Sequence, residues 1–339
     1  FLIWVGCRLT EKMSDRSMSE AIRELAFGTY AACGLDRLAA RRGHAHILNL
    51  HRVHEKPSPY WPPMHPAGLD WLLSRLLRLG KIVDIREIAA RRVPSGERVF
   101  ALSFDDGYAD FVEYALPVLE SHGVPSNLNV VVESMRSGEA IWNARLYDAL
   151  ARAGGDFYRV VAEFFPDDWS IEGLRTKAHI GYEISNGFRS HSRAERERAI
   201  RVLEDLCEYP GEPVRALRVD EVRALPVSVH VGAHGETHEP LSDVSMEEFR
   251  SDVEACRVFF ETELNRPMET YAFPLGGYRR EQVEHLLDTG VAHVLLVDEE
   301  PTIGGRSVLP RLTVGATRRG HYLAEATGLR RRLASAVQR

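Results

Sequence analysis

Short apolar runs alternate with amphipathic stretches along most of this chain, and that rhythm predicts strands followed by helices. His46–Val53 (HILNLHRV) reads as a strand that ends in His51-Arg52. Residues 57–66 hold five prolines among aromatics and read as an irregular loop. Leu69–Leu79 is an apolar helix stopped by Gly80, with a strand expected over Lys81–Ile85. Val99–Phe104 predicts the next strand, Tyr108–His122 a helix stopped by Gly123, and Val124–Val132 a further strand. Strands and helices taken in turn point to a mainly parallel sheet or barrel under helices.

The rhythm breaks over 135–215, where helix-like pieces at Leu146–Ala153 and Arg193–Cys207 are joined by polar and aromatic loops. This stretch reads as an insertion lying over or beside the barrel, and its aromatics, including Trp142, Tyr147, Phe157, Tyr158 and Trp169, either shape specificity or simply pack. The alternation resumes with strands over Val227–Val231, Glu269–Phe273 and Val291–Val297. Between them lie a helix opened by a Ser245/Glu248 capping box and another over Arg279–Thr289. A helix is expected over 17–42, which makes residues 1–43 an N-terminal extension, 44–325 the main domain and 326–339 a basic terminal helix or tail.

Composition narrows the function classes. A net charge of -6 gives no basic excess for nucleic acid, and no apolar stretch is long enough to span a membrane. The four cysteines stand far apart with no CxxC spacing, which suits isolated thiols. The apolar start, Phe1–Gly6, is too short for a secretory segment, so a cytoplasmic location is the expectation. No GxGxxG or GxxxxGK[ST] loop supports a nucleotide-binding role.

Three stretches carry chemistry. In Ser103-Phe104-Asp105-Asp106-Gly107-Tyr108, adjacent carboxylates stand where a strand gives way to a glycine turn. Neighbours on a regular strand point to opposite faces, so both acids can serve one pocket only where the backbone turns. His234-Gly235-Glu236-Thr237-His238 places two imidazoles four residues apart after a predicted strand. With one carboxylate they make a three-ligand set with open positions, the logic of catalytic zinc sites and of related iron, cobalt and nickel sites. Tyr271-Ala272-Phe273-Pro274-Leu275-Gly276-Gly277-Tyr278 runs a strand into a loop whose glycines allow close approach of a ligand.

Taken in order, SFDDGY, VGAHGETHEPLS and YAFPLGGY resemble the signature motifs of the polysaccharide deacetylases (carbohydrate esterase family 4). LHRV and LPRLTV resemble flanking features of the branch with an early His-Arg strand, and the similarity covers roughly 47–314. The resemblance implies a distorted, incomplete (β/α) barrel, here with a largely helical insertion. It also implies a hydrolase that removes N-acetyl groups from amino sugars of a glycan or sugar precursor. By position, Asp105 would be the base, Asp106, His234 and His238 the ligands of one divalent ion, and His51 the acid. Zinc is the first expectation for the ion, with nickel, cobalt or iron as alternatives. Pro274 and Leu275 would border the oxyanion, and Arg52 or Arg311 would orient Asp105. The chain departs from the family at Gly235, where Ser or Thr is usual, at Ala272, where many members have Arg, and at Asn127 and Asn129. An O-deacetylase or other amide hydrolase using the same metal site, and a non-catalytic carbohydrate-binding barrel, are the competing readings.

Overall fold

The computed structural model describes residues 44–90, 96–153, 157–165, 176–208, 213–297, 307–315 and 319–329. The N-terminal extension, the end from 330 onward, Cys7, Cys33 and Trp169 lie outside these residues. Among the described residues, eight strands and twelve α-helices follow in chain order. They begin with β1 (His44–Leu50), α1 (Pro66–Leu79), β2 (Lys81–Ile82), α2 (Ile85–Ala90) and β3 (Arg98–Phe104). Next come α3 (Leu116–Ser121), β4 (Ser126–Val130), α4 (Val132–Ser137), α5 (Trp142–Arg152), α6 (Phe157–Ala162), α7 (Lys177–Phe188) and α8 (Arg193–Asp205). The rest are α9 (Val219–Arg223), β5 (Val229–Ala233), α10 (Met246–Thr262), β6 (Thr270–Ala272), α11 (Arg280–Asp288), β7 (His293–Leu296), β8 (Val308–Thr313) and α12 (Arg319–Ala326).

All strand pairings are parallel, and they close on themselves. β3 to β8 pair in sequence, β8 pairs β1, and β1 pairs β3, giving a ring of seven strands with the short β2 on the flank of β3. This is the (β/α) barrel that the alternation predicted. Side-chain direction explains its layering. Phe100, Leu102 and Phe104 of β3 join the core beneath the helices, whereas Ala101 belongs to a second cluster with Ile47, Ala272, Leu295 and Leu309 from the ring's interior. Helix α1 adds Leu69, Leu72, Leu73 and Leu76 to the outer core at helical spacing, opening with Pro66 and a His65 cap.

Several boundaries differ from the sequence expectation for local reasons. The strand expected over 81–85 stops at Ile82, because the Asp84 carboxylate accepts from the Arg86 N–H at 2.8 Å and caps α2. Ile85 then reaches the interior cluster with Ile88 and Ala89 beside it, plugging the end of the barrel away from Asp105. The helix expected over 108–122 divides into a π-turn, Phe111–Ala115, and α3, at the point where Pro117 has no N–H to continue the ladder. β5 starts two residues later than expected. Val227 is 95% exposed, and Val229 N–H bonds back to Pro226 in a turn.

Helices α5–α8 form their own core, built on Trp142, Leu146, Leu150, Phe157, Ile184 and Phe188 and met by Tyr60 from the proline-rich loop. Most of the insertion's aromatics therefore pack; Tyr158 and Tyr182 are the exposed exceptions among the described residues. Within this stretch the described residues carry helices and single bridges but no strand. Cys207 and Cys256 are free thiols. No described helix is long and apolar enough to cross a membrane.

The plug gives a direct test of the interior layering. Ile85→Ala should destabilise the protein by about 2–5 kcal/mol, the range for truncating a buried Ile, read as a lower midpoint in chemical denaturation. An unchanged midpoint would show that α2 does not close the barrel.

Candidate metal centre and active site

The site begins at the exit of β3. Ala101 and Ser103 face the interior, so the same alternation carries Asp105 inward, and its N–H bonds Leu50 O at 2.9 Å one step past the strand's end. A continued strand would send Asp106 outward. Instead Asp106 takes φ 76° and Gly107 φ 67°, which swings the second carboxylate onto the same rim. A left-handed backbone is uncommon outside glycine, although Asp tolerates it better than most residues. Among the described residues, four non-glycine residues have positive φ: Asp106, His238 (61°), Leu275 (55°) and Asn265 (51°). Three of the four lie in the motifs singled out above. Strain of this kind gathers at functional sites.

His234 leaves β5 directly, and His238 follows in a loop rather than a helix. Asp106 Oδ1 lies 3.2 Å from His234 Nε2 and 3.2 Å from His238 Nε2, and all three residues are buried. His234 Nδ1 stands 2.8 Å from Ala272 O, a contact that requires the proton on Nδ1 and leaves a lone pair on Nε2. Asp106 Oδ1 has no hydrogen-bond partner of its own. Buried electron-rich atoms facing one another without a hydrogen between them call for a cation. The donor set suits zinc and its neighbours, with three protein ligands and room for others. The histidine loop is braced from behind: Asp252 of α10 accepts from Glu236 N–H at 2.8 Å and from the Tyr271 hydroxyl at 2.9 Å.

Asp105 faces the trio with one oxygen and the barrel interior with the other. Its Oδ2 lies 3.9 Å from His234 Nε2, while Oδ1 accepts from Arg311 Nη1 and from Asn129 Nδ2, both at 2.7 Å. The same Arg311 nitrogen reaches Asn49 and Ser103 at 3.0 Å, and Asn127 bonds Asn129 at 2.7 Å. Burial alone would raise the Asp105 pKa, but Arg311, then His234, with His51 adding a smaller pull, hold it at about 2. Asp105 is therefore ionised at neutral pH.

Of the two arginines expected to orient the base, Arg311 reaches Asp105. Arg52 bonds Asp110 at 2.8 Å instead and lies over the Tyr108 ring. His51 follows β1, whose Leu50 pairs with Phe104, so it stands level with Asp105 on the neighbouring strand, edge-on to Trp61. Pro274 and Leu275 form a tight 3-10 turn beyond β6. Pro274 explains the departure at Gly235: there φ is 78°, and an added Cβ would sit 2.9 Å from Pro274 Cγ. Ala272 contributes its carbonyl to His234, and the charge that Arg would bring at that position comes from Arg311 on β8. His293 lies on β7 opposite Thr270, next to His230 on the Thr270 side chain and far from the catalytic rim.

Outside the quoted motifs lie Asn49, Asn127, Asn129 and Asp252, and Ser103, at the head of SFDDGY, has no role assigned by the motif. Asn127 and Asn129 do carry a signal in the sequence: two amides at alternate positions of a buried strand share one face, and buried amides need partners.

A family model described as polysaccharide deacetylase matches residues 92–294. The chain belongs to the polysaccharide deacetylase family. No curated protein matches it. Among solved structures, it is similar to the Streptococcus pyogenes deacetylase PplD in complex with acetate, with 14% identity and a TM-score of 0.55 over 84% of this chain and 97% of that one. IcaB from Ammonifex degensii gives 14% identity and a TM-score of 0.54 over 85% and 98%. BC0361, a polysaccharide deacetylase from Bacillus cereus, gives 11% and 0.51 over 84% and 68%. At these identities the likeness establishes the deacetylase barrel fold.

The Arg52–Asp110 pair beside the acid motif makes a pH prediction. Burial raises the Asp110 carboxyl to about 6, although Arg52 pulls it down. An unfolded Asp titrates near ~3.9, so the folded state binds the extra proton between pH ~4 and ~6 and stability falls as pH rises through that window. Asp110→Asn should remove that slope, a relative change of about 2–3 kcal/mol. Denaturation curves of both proteins at pH 4 and 6 measure it; parallel pH dependence would place Asp110 in water.

Proposed function

We propose that this chain is a metal-dependent hydrolase that removes N-acetyl groups from the amino sugars of a glycan. The observation that carries this reading is the buried Asp106, His234 and His238 trio beside an ionised, doubly anchored Asp105. Asp106, His234 and His238 would hold the ion, for which zinc is the first candidate and nickel, cobalt or iron are alternatives. A carboxylate near 2 is a weak base, and a divalent ion supplies what it lacks, polarising the acetamide carbonyl and lowering the pKa of water from about 15.7 towards ~7.

The chain's own groups do the rest. Asp105 Oδ1 is occupied by Arg311 and Asn129, so Oδ2, the oxygen turned to the trio, takes the water's proton. The N–H of Leu275, at the turn beyond β6, donates to the developing oxyanion with Pro274 fixing the turn. His51, beside Asp105 on the β1 exit, gives a proton to the departing nitrogen, which amide cleavage requires because an amine anion is a very poor leaving group. Arg311 keeps Asp105 charged and aimed; Arg52 serves Asp110 and has no part in the proton transfers. The acetate held by PplD is the product class this chemistry releases.

Acetate release from N-acetylglucosamine oligomers, with and without a chelator, tests the reading. Chelation and Asp106→Ala should each abolish turnover, with loss of bound metal in elemental analysis. Asp105→Asn should keep the metal and lose activity by about 10²–10⁴-fold, the usual weight of a general base. Activity that survives both metal removal and Asp106→Ala would falsify the mechanism. O-acetylated saccharides in the same panel separate ester from amide cleavage.

A further inference from the structure

Between the insertion and the histidine loop lies a cavity of about 210 Å³, on the same face of the barrel as Asp105. The loop supplies Thr237 and Glu239, the two neighbours of His238, so the cavity begins one residue from the metal trio. Trp142 lines it from the insertion and donates its indole N–H to His238 O at 3.4 Å. The opposite wall is α8, with Arg193, Arg196 and Arg201.

Arg193 and Arg201 are exposed along the rim of the cavity, but Arg196, between them, is not a solvated charge. Arg196 is 2% exposed, stacks 5.0 Å above the Trp142 ring, and is bonded to Glu239 and to His191 O, yet its Nε has no partner. Arg145 is fixed by Glu197 at 2.8 Å and Glu204 at 2.9 Å, and Arg193 reaches Glu133 at 2.6 Å. Arg201 has no ion-pair partner among the described residues. The lining carries four arginines, Arg145, Arg193, Arg196 and Arg201, against four glutamates, Glu133, Glu139, Glu197 and Glu239. A phosphate or carboxylate would meet the glutamates, and an ammonium would meet the arginines. What the wall offers is spare N–H donors and carboxylate acceptors in a fixed frame of ion pairs. A neutral ligand rich in hydroxyls, each both donor and acceptor, matches such a wall. The volume is below the ~300–1,000 Å³ typical of drug-sized ligands, which suits a single sugar ring.

We propose that this cavity is a second saccharide subsite, which receives the neutral sugar residue next to the one presented to Asp105. The proposal rests on the glycan-hydrolase reading, and its test separates the two. Arg201→Ala with Glu139→Gln alters two exposed edge residues outside the catalytic machinery. Against the N-acetylglucosamine tetramer, the double variant should lose about tenfold in kcat/KM, the equivalent of about one hydrogen bond. Its kcat/KM for the N-acetylglucosamine monosaccharide should stay unchanged. Calorimetric binding of the tetramer, in an Asp105→Asn background that does not turn over, should weaken by the same factor. Equal tetramer binding with and without the two substitutions, or no tetramer binding at all, overturns the subsite. No acetate release from the parent protein, combined with tetramer binding that depends on Arg201 and Glu139, overturns the hydrolase reading and leaves the subsite standing.

Discussion

The buried ion pair between Asp105 and Arg311 is the interaction on which the rest of the site depends. It spans 206 residues of sequence and joins β3 to β8 across the inside of the ring, through the strand β1 that both of them pair. As a device for stability such a pair is poor: hydrophobic replacement of a buried pair is often neutral or better, while loss of one partner costs ~3–5 kcal/mol. Its worth is chemical. Asn129 makes the second hydrogen bond to Asp105, while Asn49 and Ser103 share the one arginine nitrogen, Nη1, that reaches Asp105; Nε and Nη2 are buried without a partner among the described residues. The polar layer inside an otherwise apolar barrel is therefore the support of a single carboxylate.

Above that layer the rim stores backbone strain. Positive φ at Asp106 and His238 costs on the order of 1–3 kcal/mol at each. The loops that bear it are stitched to one another: His234 N–H bonds Val130 O at 2.9 Å, and Glu133 N–H bonds Glu236 O at 2.9 Å. Asp252 adds a bond from the helix behind. A histidine on a free loop would sample many directions; here the exits of β4 and β5 hold each other. The two acids meet different partners because of the one turn: Asp105 keeps the strand's direction and faces Arg311, and Asp106 leaves it and faces the two histidines.

Most of the barrel was readable in the sequence because strand and helix periods differ and the strands are buried on both sides. Phe100, Leu102 and Phe104 announce β3 by themselves. β8 was not read as a strand, only as a family flank, since Pro310 and Arg311 interrupt its apolar run. That arginine is the pivot of the site, and nothing local to Leu309–Val314 says that its partner lies two hundred residues away. The acid pair and the histidine pair could be found from spacing, whereas the asymmetric anchoring of Asp105 depends on which residues face inward at one level of the ring. Register sets that level, and register is a property of pairing. The amides at Asn127 and Asn129 looked like departures from a family pattern until the β4–β5 register put Asn129 beside Gly232, whose lack of a side chain leaves the amide its space.

Of the two roles open to the insertion's aromatic residues, packing accounts for Trp142, Tyr147 and Phe157, which belong to its own core. The segment from Arg193 to Arg201, a run of alternating charges with a capping box, has the makings of a solvent-facing helix. Charged residues at helical spacing are the same on paper whether they face water or a binding wall. What separates the two is the partner opposite, and for α8 the partner is the loop that carries His238. Once Arg196 is buried against Trp142 and tied to Glu239, the insertion is coupled to the metal loop through fixed ion pairs, and a shift in α8 must move the residue beside His238.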